Sequence, residues 1–212
     1  MSGQMSGHMS GHMSGHQREP VTTVRSSYVV IPSEDIDTDQ IIPARFLTTT
    51  ERTGLGPHAF HDWRYQSDGS PNPDFPLNGP SAHGARILVA GRNFGCGSSR
   101  EHAVWSLMDA GILAVVSSAF ADIFRGNALG NGLLPVQLDE HVVQALIKRG
   151  RGMMTIDLAT ETATLPDDSV EHFSVPPFAR HCLMHGVDEL GFLLDARADI
   201  EAFERTRTGS AS

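Results

Sequence analysis

The sequence predicts an α/β fold, a mixed sheet built round a central βαβ unit. Three observations predict it. Arg86-Ile87-Leu88-Val89-Ala90 is a short apolar run ending at Gly91, the pattern of a buried strand. Ala103, Val104, Leu107 and Met108 then recur at helical spacing, and Gly111 follows as a stop. Ile112-Leu113-Ala114-Val115-Val116 is a second fully apolar run, so strand, helix and strand follow in the order of a parallel crossover.

The remaining elements follow in order. Residues 1–16 repeat Met-Ser-Gly-Gln and Met-Ser-Gly-His, with no apolar face, and read as disordered. We place a low-complexity tail at 1–22, one domain at 23–205 and a frayed tail at 206–212. Ser27–Pro32 predicts a first strand ended by proline. Asp35, Asp37 and Asp39 flank Thr38 and fit either a metal loop or an Asx-turn capping the next segment. Residues 54–84 are rich in Gly, Pro, Asn and Asp and predict a long functional or interface loop. Phe120–Arg125 predicts a short helix ended by the turn chemistry of Gly126–Gly132, with a strand at Leu133–Val136. An amphipathic helix over 139–149 precedes three short strands, at 153–158, 161–165 and 170–175. Pro176-Pro177 opens a helix through His185, Val187–Leu194 continues as another, and Asp199–Arg205 is a last one.

Composition limits the function classes. The 212 residues are 40% hydrophobic and 19% charged, an ordinary globular balance. A net charge of −9 argues against sequence-independent nucleic-acid binding. No apolar stretch approaches the ~18 residues of a membrane span, and no charged-then-apolar leader opens the chain. Cys96 and Cys182 are the two cysteines, too few for a disulfide framework, so a reduced, cytoplasmic setting is expected. Two thiols also cannot ligate an ordinary four-cysteine iron–sulfur cluster or close a thiolate zinc site.

The chemistry centres on Gly91-Arg92-Asn93-Phe94-Gly95-Cys96-Gly97-Ser98-Ser99-Arg100-Glu101-His102. This is a glycine-rich turn from strand into helix. Ser98 and Glu101 have capping-box spacing, so the helix is expected to start at Ser98 or Ser99. Unpaired N–H groups there, with Arg100 in the first turn, suit a carboxylate or phosphate. A serine-capped turn with no ligand fits the same pattern. Three other chemistries fit less well. The G-x-G of Gly95 and Gly97 lacks the third glycine of a dinucleotide site. Cys96 near a helix N-terminus is a candidate thiolate nucleophile, but His102 lies on the helix body. The G-x-S-x-G elbow of serine hydrolases is absent. His58 and His61, and His181 and His185, have metal-like spacing without an evident third ligand.

Gly95-Cys96-Gly97-Ser98-Ser99-Arg100-Glu101-His102-Ala103 resembles the GxGSSREHA motif of the aconitase superfamily's swivelling domain. Asp37–Pro43, Asn72–Phe75, Ala121–Asn127, Leu133–Pro135 and Arg180–Gly186 extend the resemblance to bacterial 3-isopropylmalate dehydratase small subunits, in order from about Tyr28 to Phe203. The resemblance implies a three-layer β/β/α swivelling domain. It implies a hydro-lyase of leucine biosynthesis that interconverts 2-isopropylmalate and 3-isopropylmalate by dehydration and rehydration. The [4Fe–4S] cluster then lies on a separate large subunit, and this chain carries no cofactor or metal of its own. The partners implied are that large subunit and a small dicarboxylate substrate, with no nucleic acid or membrane. Ser98 matches the residue that removes the proton alpha to a carboxylate, and Ser99 and Arg100 match substrate-binding positions. Thr38 and Asp39 match positions beside the substrate. Phe46, Leu47, Thr48 and Thr49 occupy the place of the family's specificity loop. Their apolar, neutral character favours an isopropyl-like group, although Arg45 and Arg52 flank them. Alternatives are a paralogue acting on citraconate, methylmalate or homoaconitate, or a non-catalytic carboxylate-binding module.

Overall fold

A computed structural model describes residues 18–48, 50–188 and 191–192. Seven strands form one curled mixed sheet in the order β4-β3-β2-β1-β5-β6-β7. The first four, β1 (Thr23–Ile31), β2 (Ile87–Ala90), β3 (Ala114–Ser117) and β4 (Leu134–Gln137), pair in parallel. From β1 the sheet continues antiparallel through β5 (Met153–Asp157), β6 (Thr162–Thr164) and β7 (Val170–His172).

β1 joins the two halves. Its first half, Thr23 to Ser27, pairs with β5, and its second half, Tyr28 to Ile31, pairs with β2. The strand starts at Thr23 rather than the expected Ser27. Ser26, which interrupts the apolar run, is buried because its hydroxyl donates to the Gly84 carbonyl at 3.2 Å and accepts from the Arg86 N–H at 2.9 Å.

The parallel strands are covered on both faces, as parallel sheets require. Val29, Ile31, Leu88, Ala90 and Val115 face one core, shared with α3 (Glu101–Asp109) and α4 (Asp122–Asn131). Tyr28, Ile87, Val89, Ala114 and Val116 face a second core, shared with α5 (Glu140–Arg149) and the antiparallel strands. The expected βαβ unit is thus β2-α3-β3. Pro135 sits on β4, the sheet edge, where its missing N–H costs no ladder bond. α6 (Pro177–His185) ends at Gly186, as the sequence predicts.

Two local expectations change. α4 does not stop at Arg125 but runs on through Gly126 and Gly130 to Gly132 at φ +100°. Asn131 holds its last turn: it accepts from the Trp105 indole at 2.9 Å and donates to Glu101 at 3.1 Å and to the Asn127 carbonyl at 2.9 Å. Packing, from buried Phe124 and Ala128, outweighs the low helix propensity of glycine. Residues 18–22, expected in the tail, lie against α6: Arg18 N–H donates to the Gly186 carbonyl at 2.8 Å and Val21 N–H to Leu183 at 2.9 Å. The Met-Ser-Gly-His repeat, the Asp199–Arg205 helix and the 206–212 tail lie outside the described residues, and of the 187–194 helix only Gly191 and Phe192 are described as helical.

The 54–84 segment is long but internally tied. It holds α2 (His61–Arg64) and three single 3-10 turns. Arg64 donates to the Gly56 carbonyl and to Asn78 at 3.0 Å each, and Asn78 donates back to the Arg64 carbonyl at 2.6 Å. Leu55, Phe60 and Phe75 sink into the first core. No helix among the described residues is long and apolar enough to cross a membrane.

Candidate active site

Two loops leave the carboxyl ends of β1 and β2, adjacent parallel strands, and stay paired beyond the sheet. Asp35 N–H donates to the Arg92 carbonyl at 2.9 Å, and Gly95 N–H to the Ile36 carbonyl at 2.7 Å. Asp37 and Cys96 form a parallel bridge, and Thr38 N–H donates to the Cys96 carbonyl at 2.9 Å. Asn93, at φ +60°, donates its amide to Asp35 at 2.7 Å across the turn. Gly95 must be glycine: it combines φ +77° with a position where a Cβ would lie 2.2 Å from the Phe124 ring.

The loop from β1 enters α1 (Thr38–Ile41) through a complete capping box. Gln40 N–H donates to the Asp37 carboxylate at 2.7 Å, and Asp37 N–H donates to the Gln40 side chain at 2.8 Å. The three acids of this segment therefore have separate tasks. Asp35 holds Asn93, Asp37 caps the helix, and Asp39 pairs with Arg100. This is the capping alternative, not the metal loop.

Ser98 does not cap α3. The helix begins at Glu101, with Arg100 as the extended residue before it (φ −116°, ψ 109°) and no side-chain cap. The long-range pairing explains the shift. Thr38, itself buried, donates its hydroxyl to the Ser98 carbonyl at 3.0 Å, and this holds residues 96–98 alongside the first loop and out of helical geometry. Capping-box spacing in the sequence cannot register such a partner 60 residues away. Ser98 and Ser99 are consequently exposed, and the Ser98 hydroxyl makes no hydrogen bond among the described residues.

Arg100 and Asp39 form an ion pair. One guanidinium nitrogen donates to the Asp39 carboxylate, and the arginine side chain is 18% exposed against 54% for the aspartate. The partner orients the planar fork and leaves its other N–H groups for a ligand. The Cys96 thiol is pushed upward by burial and by the Asp37 and Asp35 charges, so it stays protonated rather than becoming the thiolate that a helix N-terminus would favour. It donates to the Asp35 carbonyl at 3.3 Å.

Phe46 and Leu47 are partly buried against the first core, and Thr48 is exposed; Thr49 lies outside the described residues. The Phe46 ring stacks on His58 with centroids 4.0 Å apart, and it lies 4.7 Å from His61. This gives the two histidines of the HxxH a packing role. The sequence marks His58 only by its spacing from His61, and the structure gives it the packing partner Phe46. The flanking arginines are engaged elsewhere: Arg45 pairs with Asp62, and Arg52 stands 5.4 Å over the Trp105 ring. His181 and His185 stack on each other at 4.1 Å, and His185 bonds the His181 carbonyl at 2.9 Å. Among the described residues no grouping of three His, Cys, Asp or Glu side chains could hold a metal.

Two loops at the carboxyl ends of neighbouring parallel strands, on a curled mixed sheet, define a domain of the aconitase swivelling type. Residues 19–141 match the family model of the aconitase C-terminal domain. The chain belongs to that family, and within it to the 3-isopropylmalate dehydratase small subunits. It is 57% identical to the 3-isopropylmalate dehydratase small subunit of Chloroflexus aurantiacus over 190 residues, covering 88% of this chain and 94% of the relative. The small subunit of Anaeromyxobacter dehalogenans is also 57% identical, over 89% of this chain and 99% of that one. Among solved structures, a 3-isopropylmalate dehydratase from Methanocaldococcus jannaschii superposes with a TM-score of 0.63 at 27% identity, over 86% of this chain and 99% of that one.

Proposed function

We propose that this chain is the small subunit of a hydro-lyase that interconverts 2-isopropylmalate and 3-isopropylmalate in leucine biosynthesis, and that it completes an active site on a large partner subunit. The carrying observation is the exposed Ser98 on a loop clamped by Thr38, two residues before the Asp39-oriented Arg100. Arg100 binds a substrate carboxylate bidentately, with Ser99 beside it. Ser98 takes the proton alpha to that carboxylate. A deprotonated serine needs positive potential, and the Arg100 guanidinium and the uncapped N–H groups at the start of α3 supply it. Phe46 and Leu47 receive the isopropyl group, an apolar match that their packing and the engaged arginines support.

The residues described do not fit a [4Fe–4S] cluster, since Cys96 and Cys182 are the two cysteines and no three-ligand grouping exists among them. We place the cluster on the large subunit and this domain in the cytoplasm with it. The half-site's exposure agrees with a partner that closes it.

Coexpression with a cluster-bearing large subunit should yield isomerase activity. Ser98→Ala should then lower turnover about 10²–10⁴-fold, the range of a lost acid–base group, while the subunits still copurify. Full turnover in that variant refutes the role of Ser98. Faster turnover of methylmalate or homoaconitate than of isopropylmalate refutes the substrate.

A further inference from the structure

We propose that the chain carries a second ligand site, away from the Ser98 loop, for a small carboxylate with an apolar body. A cavity of about 530 Å³ lies between the 18–24 segment, the 52–53 turn, the outer side of α3 and α6. This is the volume of an ordinary small-molecule pocket. In a protein of net charge −9, three guanidiniums line it: Arg18, Arg52 and Arg86. None of them forms an ion pair, and none of their guanidinium groups forms a hydrogen bond, among the described residues. The Nε of Arg18 is fully buried and has no acceptor. A buried guanidinium N–H without an acceptor is costly, and a bound anion removes that cost.

The surroundings are built to hold Arg18 in place. Its backbone packs against Gly186, where a Cβ would come within 2.2 Å of the Arg18 carbonyl oxygen. Its side chain passes Gly132, where a Cβ would lie 3.4 Å from Cδ. Both glycines also have positive φ, so the room for Arg18 and the turn geometry come from the same residues. Opposite, the Trp105 indole is pinned by its bond to Asn131, and Arg52 lies over its ring. Burial, then the nearby Arg52 charge, lower the Arg18 pKa, and Asp188, Cys182 and Glu101 oppose them without cancelling the shift.

The lining also selects the class of anion. Glu19 and Asp109 face the cavity too, and Asp188 and Glu101 act on Arg18 from beside it, so the three guanidiniums do not leave a strongly positive lining. Asp109 is further occupied by the Gly56 N–H, which donates to it at 2.6 Å. Arginines balanced in this way by nearby acids suit a monocarboxylate better than a phosphate dianion. The rest of the wall, with Val21, Met108, Leu113 and Trp105, is apolar and suits an aliphatic or aromatic body.

The test uses the full chain with 4-methylpentanoate as probe and 4-methylpentanol as its uncharged counterpart. Trp63 and Trp105 are the two tryptophans, so in a Trp63→Phe background the emission reports on the cavity. Calorimetry on the unaltered chain gives a second reading, should that background be unstable. The acid should bind saturably, the alcohol should not, and Arg18→Met and Arg52→Met should each weaken binding by about tenfold to a hundredfold, the loss of one charge-assisted contact. Arg100→Gln should leave binding unchanged, which separates this site from the carboxylate site proposed above. The inference is overturned by no saturable signal below about 10 mM, a very weak affinity on the usual scale. It is overturned equally by the alcohol binding as well as the acid, or by binding that survives both arginine variants or vanishes with Arg100→Gln.

Discussion

The two halves of the sheet are built from similar short strands but do different work. In the parallel half, all four strands run the same way, so the loops after β1 and β2 emerge side by side at one edge. Those loops carry Thr38, Asp39, Ser98 and Arg100. In the antiparallel half, successive strands reverse, so no two adjacent strands send their following loops to the same edge, and the segments after β5 and β7 are separated by β6. Their inward residues, such as Met154, Ile156 and Ala163, go wholly into the second core. The comparison teaches that direction, more than composition, decides which half can gather a site from segments about 60 residues apart.

Substitutions in the two halves should therefore fail in opposite ways. Arg100→Gln removes a charged donor that acts on substrate and is expected to cost about 10²–10³ in turnover, with the urea midpoint unchanged. Ile156→Ala, at a fully buried position in β5, should lower stability by about 2–5 kcal/mol and leave turnover per folded molecule intact. Paired urea titrations and steady-state rates on the assembled enzyme check this. If Ile156→Ala also removes turnover from fully folded enzyme, the antiparallel half is not merely structural.

A finer substitution tests the clamp itself. Thr38→Val keeps the shape but deletes the hydroxyl that donates to Ser98. Expected are a stability loss of about 1 kcal/mol and a turnover loss of about tenfold, from a loop that no longer holds its attack geometry. Equal turnover with the measured stability loss would show that the clamp serves folding alone.

This clamp also marks what the sequence could and could not disclose. The β2-α3-β3 crossover was legible because each piece is a local pattern: two apolar runs and one helical repeat between them. The cap of α1 was legible for the same reason, since Asp37 and Gln40 are three residues apart. The start of α3 was not. Ser98 and Glu101 have capping spacing too, but Thr38 and Asp37 claim that segment from outside it. α4 was misread at Gly126 and Gly130 because Asn131 secures the helix through Trp105 and Glu101, two residues of another helix. Of the site, the family resemblance marks Asp39 and Arg100 as separate positions but not their pairing. The Phe46–His58 stack and the Asp35–Asn93 bond follow from no local pattern.

The smallest expected effect concerns that stack, and it should appear only on the parallel side. His58 is partly shielded, its Nδ1 is buried without a hydrogen-bond partner, and its ring lies flat on Phe46. Burial, then the neighbouring His61 and Arg45, lower its pKa. The unfolded chain binds this proton at the ordinary histidine value of about 6.5. The folded chain binds it only at lower pH, so the neutral ring contributes stability above that value and loses it as pH falls through the folded value. His58→Phe keeps a flat ring against Phe46 but removes the titrating group. Its urea midpoint, followed from pH 8 down to pH 4, should match the unaltered chain in shape at the alkaline end and decline less steeply below about pH 6.5. The lowered carboxylate of Asp62, held by Arg45, adds its own acid slope in both proteins and does not separate them. Parallel curves across the whole range would mean that His58 is free to charge in the folded state, and the Phe46 stack would then have to tolerate an imidazolium beneath it.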